Sequence, residues 1–279
     1  MDVIINPLQY DFMLKAIIVS SLVGLVCALL SCFLVLKRWS LMGDAVSHSV
    51  LPGVVLAYAV GIPFSIGAFI FGLGAVVGIG YIKERVRLKD DAVIGIIYTT
   101  LFALGLVLVS KIPSNIDLMH ILFGYVLGIS DVDAWQVGAI AVATGAVLLT
   151  LRRNLLLYIF DPAHARAIRL NVRFYHYLLL VLLALTVVAS VQTVGIILVI
   201  AMLITPGAIA HLLTDRFDRM LLIAAGASVS SCIIGAYASY YFDVSTGGAM
   251  VLTLGVLFFL TFLFAPRYGV LGRKLKLVR

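Results

Sequence analysis

Residues 41–53, LMGDAVSHSVLPG, decide how the chain is read. They lie in an apolar run over 41–60, and about 20 such residues suffice to cross a membrane as a helix. Inside that run stand Asp44 and His48, four residues apart and therefore on one helix face. A carboxylate near the centre of a spanning helix costs about 2.5–3.5 kcal/mol on insertion scales, so it turns to protein or water and usually has a task. Counting about 1.5 Å per residue from Lys37 and Arg38, Asp44 lies roughly 10 Å deep and His48 roughly 16 Å deep. Ser47 and Ser49 make the turn more polar, and Gly43 lets a neighbour approach. Pro52 removes a helix hydrogen bond one turn on, so the helix is expected to bend or break beside the pair.

The rest of the chain supports the membrane assignment. Of its 279 residues, 63% are hydrophobic and 12% charged, with a mean hydropathy of +1.17. Soluble domains run near half apolar and a quarter charged, so this is an integral membrane protein. Its apolar runs continue from 12 to 265 with short breaks, which gives one membrane domain over 1–279. The candidate spans are 12–36, 41–60, 63–82, 92–110, 132–151, 174–191, 193–213, 219–241 and 247–265. The join SVQTVG at 190–195 is tight enough to leave eight spans open beside nine. The shorter run 118–129 is about half a span and a candidate re-entrant helix, packed against protein. The fold class expected is an all-α polytopic bundle. The first run lacks the basic start and short core of a cleaved signal and is read as a retained helix.

With nine spans and the N-terminus outside, 18 of the 20 Lys and Arg fall on the cytoplasmic side, leaving only Lys15 and Lys111 opposite. That is the positive-inside asymmetry. It fixes the orientation and accounts for the net charge of +7 without nucleic acid. Of the 13 acidic residues, only Asp44 falls well inside a span by this topology, Asp133 standing at the very edge of 132–151. Cys27, Cys32 and Cys232 have no ligand or redox spacing and read as small buried residues. Gly72, Gly74, Gly78 and Gly80 read as a close-packing face.

A carboxylate and an imidazole in one turn suit Mn, Fe or Zn, and the absence of thiolate speaks against copper(I). Two ligands make a poor site, whereas two copies about a twofold axis would offer four. A proton relay and a purely structural contact between Asp44, His48 and neighbouring helices stand beside the metal reading.

The segment LKRWSLMGDAVSHSVLPGVVLAYAVG (36–61) resembles the signature of membrane subunits of bacterial manganese, iron and zinc ABC importers, the metal-uptake ABC-3 family. FDPAHARAIRLNV (160–172) resembles that family's cytoplasmic coupling segment, VGIILVIAMLITPGAIAHLL (194–213) its proline-bearing helix, and FAPRYG (264–269) its C-terminal end. The resemblance implies that Asp44 and His48 line the metal path. It implies a homodimer, or a pair with a similar permease, in the bacterial inner membrane. It further implies cytoplasmic ATPase subunits and an extracytoplasmic metal-binding protein as partners. Mn²⁺ or Fe²⁺ is favoured over Zn²⁺ by the Met42 and Pro52 context. No group is bound covalently, and the metal is cargo. The coupling region is 160–173, with Asp161, Pro162, Ala163, His164, Ala165, Arg166 and Arg169 as its contacts. Many family members carry glycine in place of Arg169 and an aromatic residue in place of His164.

No GxxxxGK[ST] loop occurs, so the chain is not expected to hydrolyse ATP by that route. It is read as a transport subunit and not as an enzyme. An ion- or proton-coupled carrier acting alone is the alternative, but the paired broken helices of such carriers are not seen. An intramembrane metalloprotease lacks its HExxH pair. Asp117 with His120, His164, His176 and His211 read as caps, surface or snorkelling residues. Pro52, Thr205 and Pro206 mark candidate kinks or gates.

Overall fold

The computed structural model describes residues 6–112, 128–265 and 269. After a short 3₁₀ turn at Asn6–Gln9 the chain forms α1 (Asp11–Lys37), α2 (Ser40–Val60), α3 (Phe64–Arg85) and α4 (Asp90–Lys111). Beyond residue 127 come α5 (Asp131–Thr150), α6 (Arg152–Phe160), α7 (Pro162–Ala167), α8 (Val172–Val194), α9 (Ile196–Leu213), α10 (Phe217–Phe242) and α11 (Thr246–Phe264). All of these except α6 and α7 are long and apolar enough to cross a bilayer, giving nine such helices among the described residues. The run 118–129 falls almost wholly outside the described residues, as do Asp117 and His120.

Helices are what a chain in hydrocarbon must form, because each backbone N–H and C=O finds its partner within the segment. The ends follow local chemistry. Ser130, Asn171 and Ser245 cap the N-termini of α5, α8 and α11 by accepting from Asp133, Phe174 and Gly248 N–H. Gly61 closes α2 in the left-handed region at φ 77°. Gly195, at φ 82°, separates α8 from α9 and settles the tight join as two helices.

The sequence edges hold within a few residues, and α2 is a continuous helix through Pro52. It is not broken there. Pro206 likewise sits inside α9. The Ser31 hydroxyl of α1 donates to Ile204 carbonyl at 3.1 Å and accepts from Gly207 N–H at 2.9 Å, tying the proline-bearing turn to α1.

α1 lies at the centre, packed on α9, α10, α5, α8 and the start of α2. α2 packs chiefly on α3 and α4 and also meets α8 and α9. Contacts between distant segments gather the basic ends. Lys37 Nζ sits 4.3 Å over the Tyr158 ring and 5.7 Å from that of Trp39. Lys83 pairs with Asp90 at 2.6 Å, and Arg152 with Asp218 at 3.6 Å. At the opposite end Lys15 pairs with Asp131 at 2.5 Å.

Cys27, Cys32 and Cys232 are buried and free, as their apolar setting predicts. Gly53 and Gly67 let α2 and α3 cross almost backbone to backbone. Gly74 and Gly78, by contrast, face open space, and Gly80 only approaches His176.

Candidate functional site

Asp44 is the fifth residue of α2 and His48 the ninth, roughly 6 Å and 12 Å along the axis from Ser40. Helical spacing brings them together, with Asp44 Oδ1 and His48 Nε2 3.2 Å apart. Their side chains are 24% and 25% exposed, while Ala45, Val46, Ser47, Ser49 and Val50 around them are buried. Leu41, on the same face, is 38% exposed, so an open stripe runs Leu41–Asp44–His48 along the otherwise enclosed first half of the helix. The neighbouring serines do not compete for the site. Ser47 donates to Gly43 carbonyl at 2.9 Å and Ser49 to Ala45 carbonyl at 2.6 Å, each one turn back.

The imidazole is held by α4. Tyr98 stacks on it at 5.8 Å with 27° between planes, and Phe102 meets it edge-on at 5.1 Å. His48 Nδ1 is buried without a hydrogen-bond partner. Pro52 has no N–H to offer the His48 carbonyl four residues back. Gly43 seats Leu203 of α9. Because the Asp44–His48 contact lies within one helix, it ties no two helices together. Among the described residues Asp44 pairs with no cation of another helix, and no group of three His, Cys, Asp or Glu is placed to hold a metal. One copy therefore presents two ligand-type groups, aimed at a partly open face.

Segment 160–173 holds α7 and the turn after it, and α6 leads into it. Asp161 Oδ1 accepts from Ala163 N–H at 3.1 Å and His164 N–H at 2.9 Å, and Pro162 opens the helix. Ala165 is buried, while His164 and Arg166 are exposed. The turn closes through Leu170 N–H to Ala165 carbonyl at 2.9 Å, with Arg169 left-handed at φ 63°. That conformation suits glycine best, so Arg169 holds it at some backbone cost.

Composition and spacing did not single out the groups that join this segment to the membrane helices. Tyr158 of α6 is buried and lies 2.8 Å from His176 Nδ1 of α8. His176 in turn meets the Trp39 ring edge-on at 5.3 Å, immediately before α2. Asn154 donates to Tyr175 hydroxyl at 2.8 Å beside it. Burial pushes the Tyr158 hydroxyl from the ordinary 10.0 up to about 12. The phenol thus stays protonated at neutral pH, and only above pH 10.0 would its ionisation begin to favour the unfolded chain. The interleaved aromatic, lysine and histidine residues at 37–39, 158 and 175–176 were the available signal, but nothing in their spacing shows that they meet.

The protein-family model described as ABC 3 transport family matches residues 9–265. The chain is 59% identical over 271 residues to the manganese transport system membrane protein MntB of Synechocystis, covering 97% of this chain and 89% of that one. It is 49% identical to the chelated iron transport system membrane protein YfeD of Yersinia pestis, over 98% and 92% of the two chains. Among solved structures it superposes on PsaBC from Streptococcus pneumoniae in complex with Fab. That match has a TM-score of 0.88 and 38% identity, covering 100% of this chain and 99% of that one. With nine apolar helices among the described residues, and family likeness over nearly their whole length, the chain belongs to the ABC 3 transport family as a multi-pass inner-membrane protein.

Proposed function

We propose that this chain is the permease half of an ATP-driven importer of divalent transition metals, with Mn²⁺ or Fe²⁺ favoured and Zn²⁺ the further candidate. Two copies pair so that two Asp44 carboxylates and two His48 imidazoles face each other and replace the water of an ion handed over by an extracytoplasmic binding protein. The relatives named for manganese and iron transport support the cargo class. The observation that carries the site is the exposure of Asp44 and His48, 24% and 25%, on one open stripe. At that depth lipid is a poor neighbour for a carboxylate, and a second copy of the same stripe both covers the pair and completes the ligand count.

The orientation follows the basic residues, with the N-terminus outside and 160–173 in the cytoplasm. There Asp161, Pro162, Ala163, His164, Ala165, Arg166 and Arg169 form the dock for a separate ATPase subunit. ATP binding on that subunit shifts α7. The contacts Tyr158–His176–Trp39 carry the shift to the start of α2, and the paired bundles tilt to release the ion inward. Pro52, Thr205 and Pro206 give α2 and α9 the local freedom to follow.

The test is metal uptake by the chain reconstituted with its ATPase and binding protein. Asp44→Ala and His48→Ala are expected to abolish uptake of radioactive manganese while the complex still assembles. Normal uptake by both variants would overturn the site. Uptake that persists without ATP and follows a proton gradient would overturn the ATP-driven reading in favour of a secondary carrier.

A further inference from the structure

Where α5 ends and α10 begins, at the basic end of the bundle, a cavity of about 400 Å³ opens among Arg152, Arg153, Arg216 and Arg219. Its size falls within the range of small-ligand pockets, about 300–1,000 Å³. Two helices start at its wall, α6 at Arg152 and α10 at Phe217. Neither has a side-chain cap on its first N–H groups. Free N-terminal N–H groups and the positive end of the helix dipole favour anions. Asp218 takes up part of the charge through Arg152, at 3.6 Å. Counting Asp215 in the adjoining turn, two carboxylates stand against four guanidinium groups, so the pocket keeps a net charge of about +2. Arg153, Arg216 and Arg219 are exposed.

The surroundings select the kind of anion. Leu156 and Phe217 give the pocket an apolar wall. About one turn into the apolar spans from Arg153 and Arg219, Leu149 of α5 and Leu222 of α10 are 45% and 74% exposed, a surface suited to acyl chains. We infer that this pocket binds the phosphate headgroup of an anionic phospholipid, and that a two-phosphate headgroup of the cardiolipin type matches its charge. Basic pockets between spanning helices take such headgroups, because guanidinium forks meet phosphate oxygens in pairs. The bound lipid would clamp the root of α6, and with it the arm that carries the coupling segment, against α10.

The experiment uses the purified full chain in detergent, titrated with cardiolipin and followed by native mass spectrometry. One saturable cardiolipin per chain is expected, with phosphatidylcholine failing to compete. Arg153→Gln with Arg219→Gln is expected to weaken it about thirtyfold, at the usual worth of two basic residues near an anionic surface. Arg87→Gln with Lys89→Gln removes equal charge elsewhere and is expected to leave binding unchanged. Equal weakening by both pairs would show a diffuse charge effect and overturn the site. Displacement of the lipid by pyrophosphate at equal concentration would overturn it in favour of a soluble anion. A wild-type chain that retains no cardiolipin also overturns it, and leaves these arginines to a protein partner.

Discussion

Replacing Gly53 by alanine tests the tightest crossing in the bundle, one turn beyond His48. A β-carbon built at Gly53 lies 2.1 Å from Gly67 carbonyl oxygen, 2.6 Å from its carbonyl carbon and 3.0 Å from Phe71 Cβ. Ordinary contact begins at 3.4 Å, so α2 and α3 must part by about 1.3 Å. Backbone atoms cannot rotate aside, and the gap would open along the whole interface. Overpacking of this kind costs about 1–3 kcal/mol. Alanine's better helix propensity offsets up to about 1 kcal/mol of it. Gly74 on the same helix as Gly67 has nothing within 4 Å of its added carbon, so Gly74→Ala keeps only the favourable propensity term. The two alanines should therefore move stability in opposite directions. The assay is thermal unfolding of both variants in one lipid nanodisc, read against wild type. Gly53→Ala should lower the melting temperature by several degrees and reduce metal uptake, and Gly74→Ala should leave it level or slightly higher. If Gly53→Ala melts with wild type, the backbone-to-backbone crossing is not as described.

Ser31→Ala removes the donor to Ile204 carbonyl and the acceptor for Gly207 N–H, and is expected to destabilise by about 1–3 kcal/mol in the same unfolding assay. Arg169→Gly relieves a left-handed residue and should raise stability by about 1 kcal/mol in that assay, whereas Arg169→Val should lower it. Tyr158→Phe keeps the buried ring but loses the 2.8 Å contact to His176. The assembled complex is then expected to hydrolyse ATP while moving less metal per ATP, a ratio measured by parallel phosphate-release and uptake assays.

The spans were legible because length and apolarity alone select a membrane helix. The Asp161-Pro162 start of α7 was legible as backbone chemistry, whereas the join at 190–195 left eight or nine spans open until Gly195 was seen at φ 82°. Asp44 and His48 stood out because an acid in an apolar run has few explanations. What covers His48 was not legible. Spanning helices are apolar on all sides, so periodicity does not show which face packs. In the apolar stretch of α1 72% is buried and in that of α4 only 17%, though both read as strongly apolar runs. Tyr98 and Phe102 thus carried no mark of their role. The glycines of α3 looked equivalent, yet Gly67 meets a backbone and Gly74 meets nothing. The meeting of Tyr158, His176 and Trp39 depends on how α6 folds back on the bundle, which local sequence does not encode.

Asp44 and His48 ride on one turn of one helix, which fixes the spacing of their backbone anchors whatever the bundle does. Tilting the protein therefore moves the carboxylate and the imidazole together. It can only change the gap between one such jaw and its twin. If the two jaws do grip an ion, its release depends on one adjustable length, and a cross-link that froze that length would stall the cycle without altering either ligand.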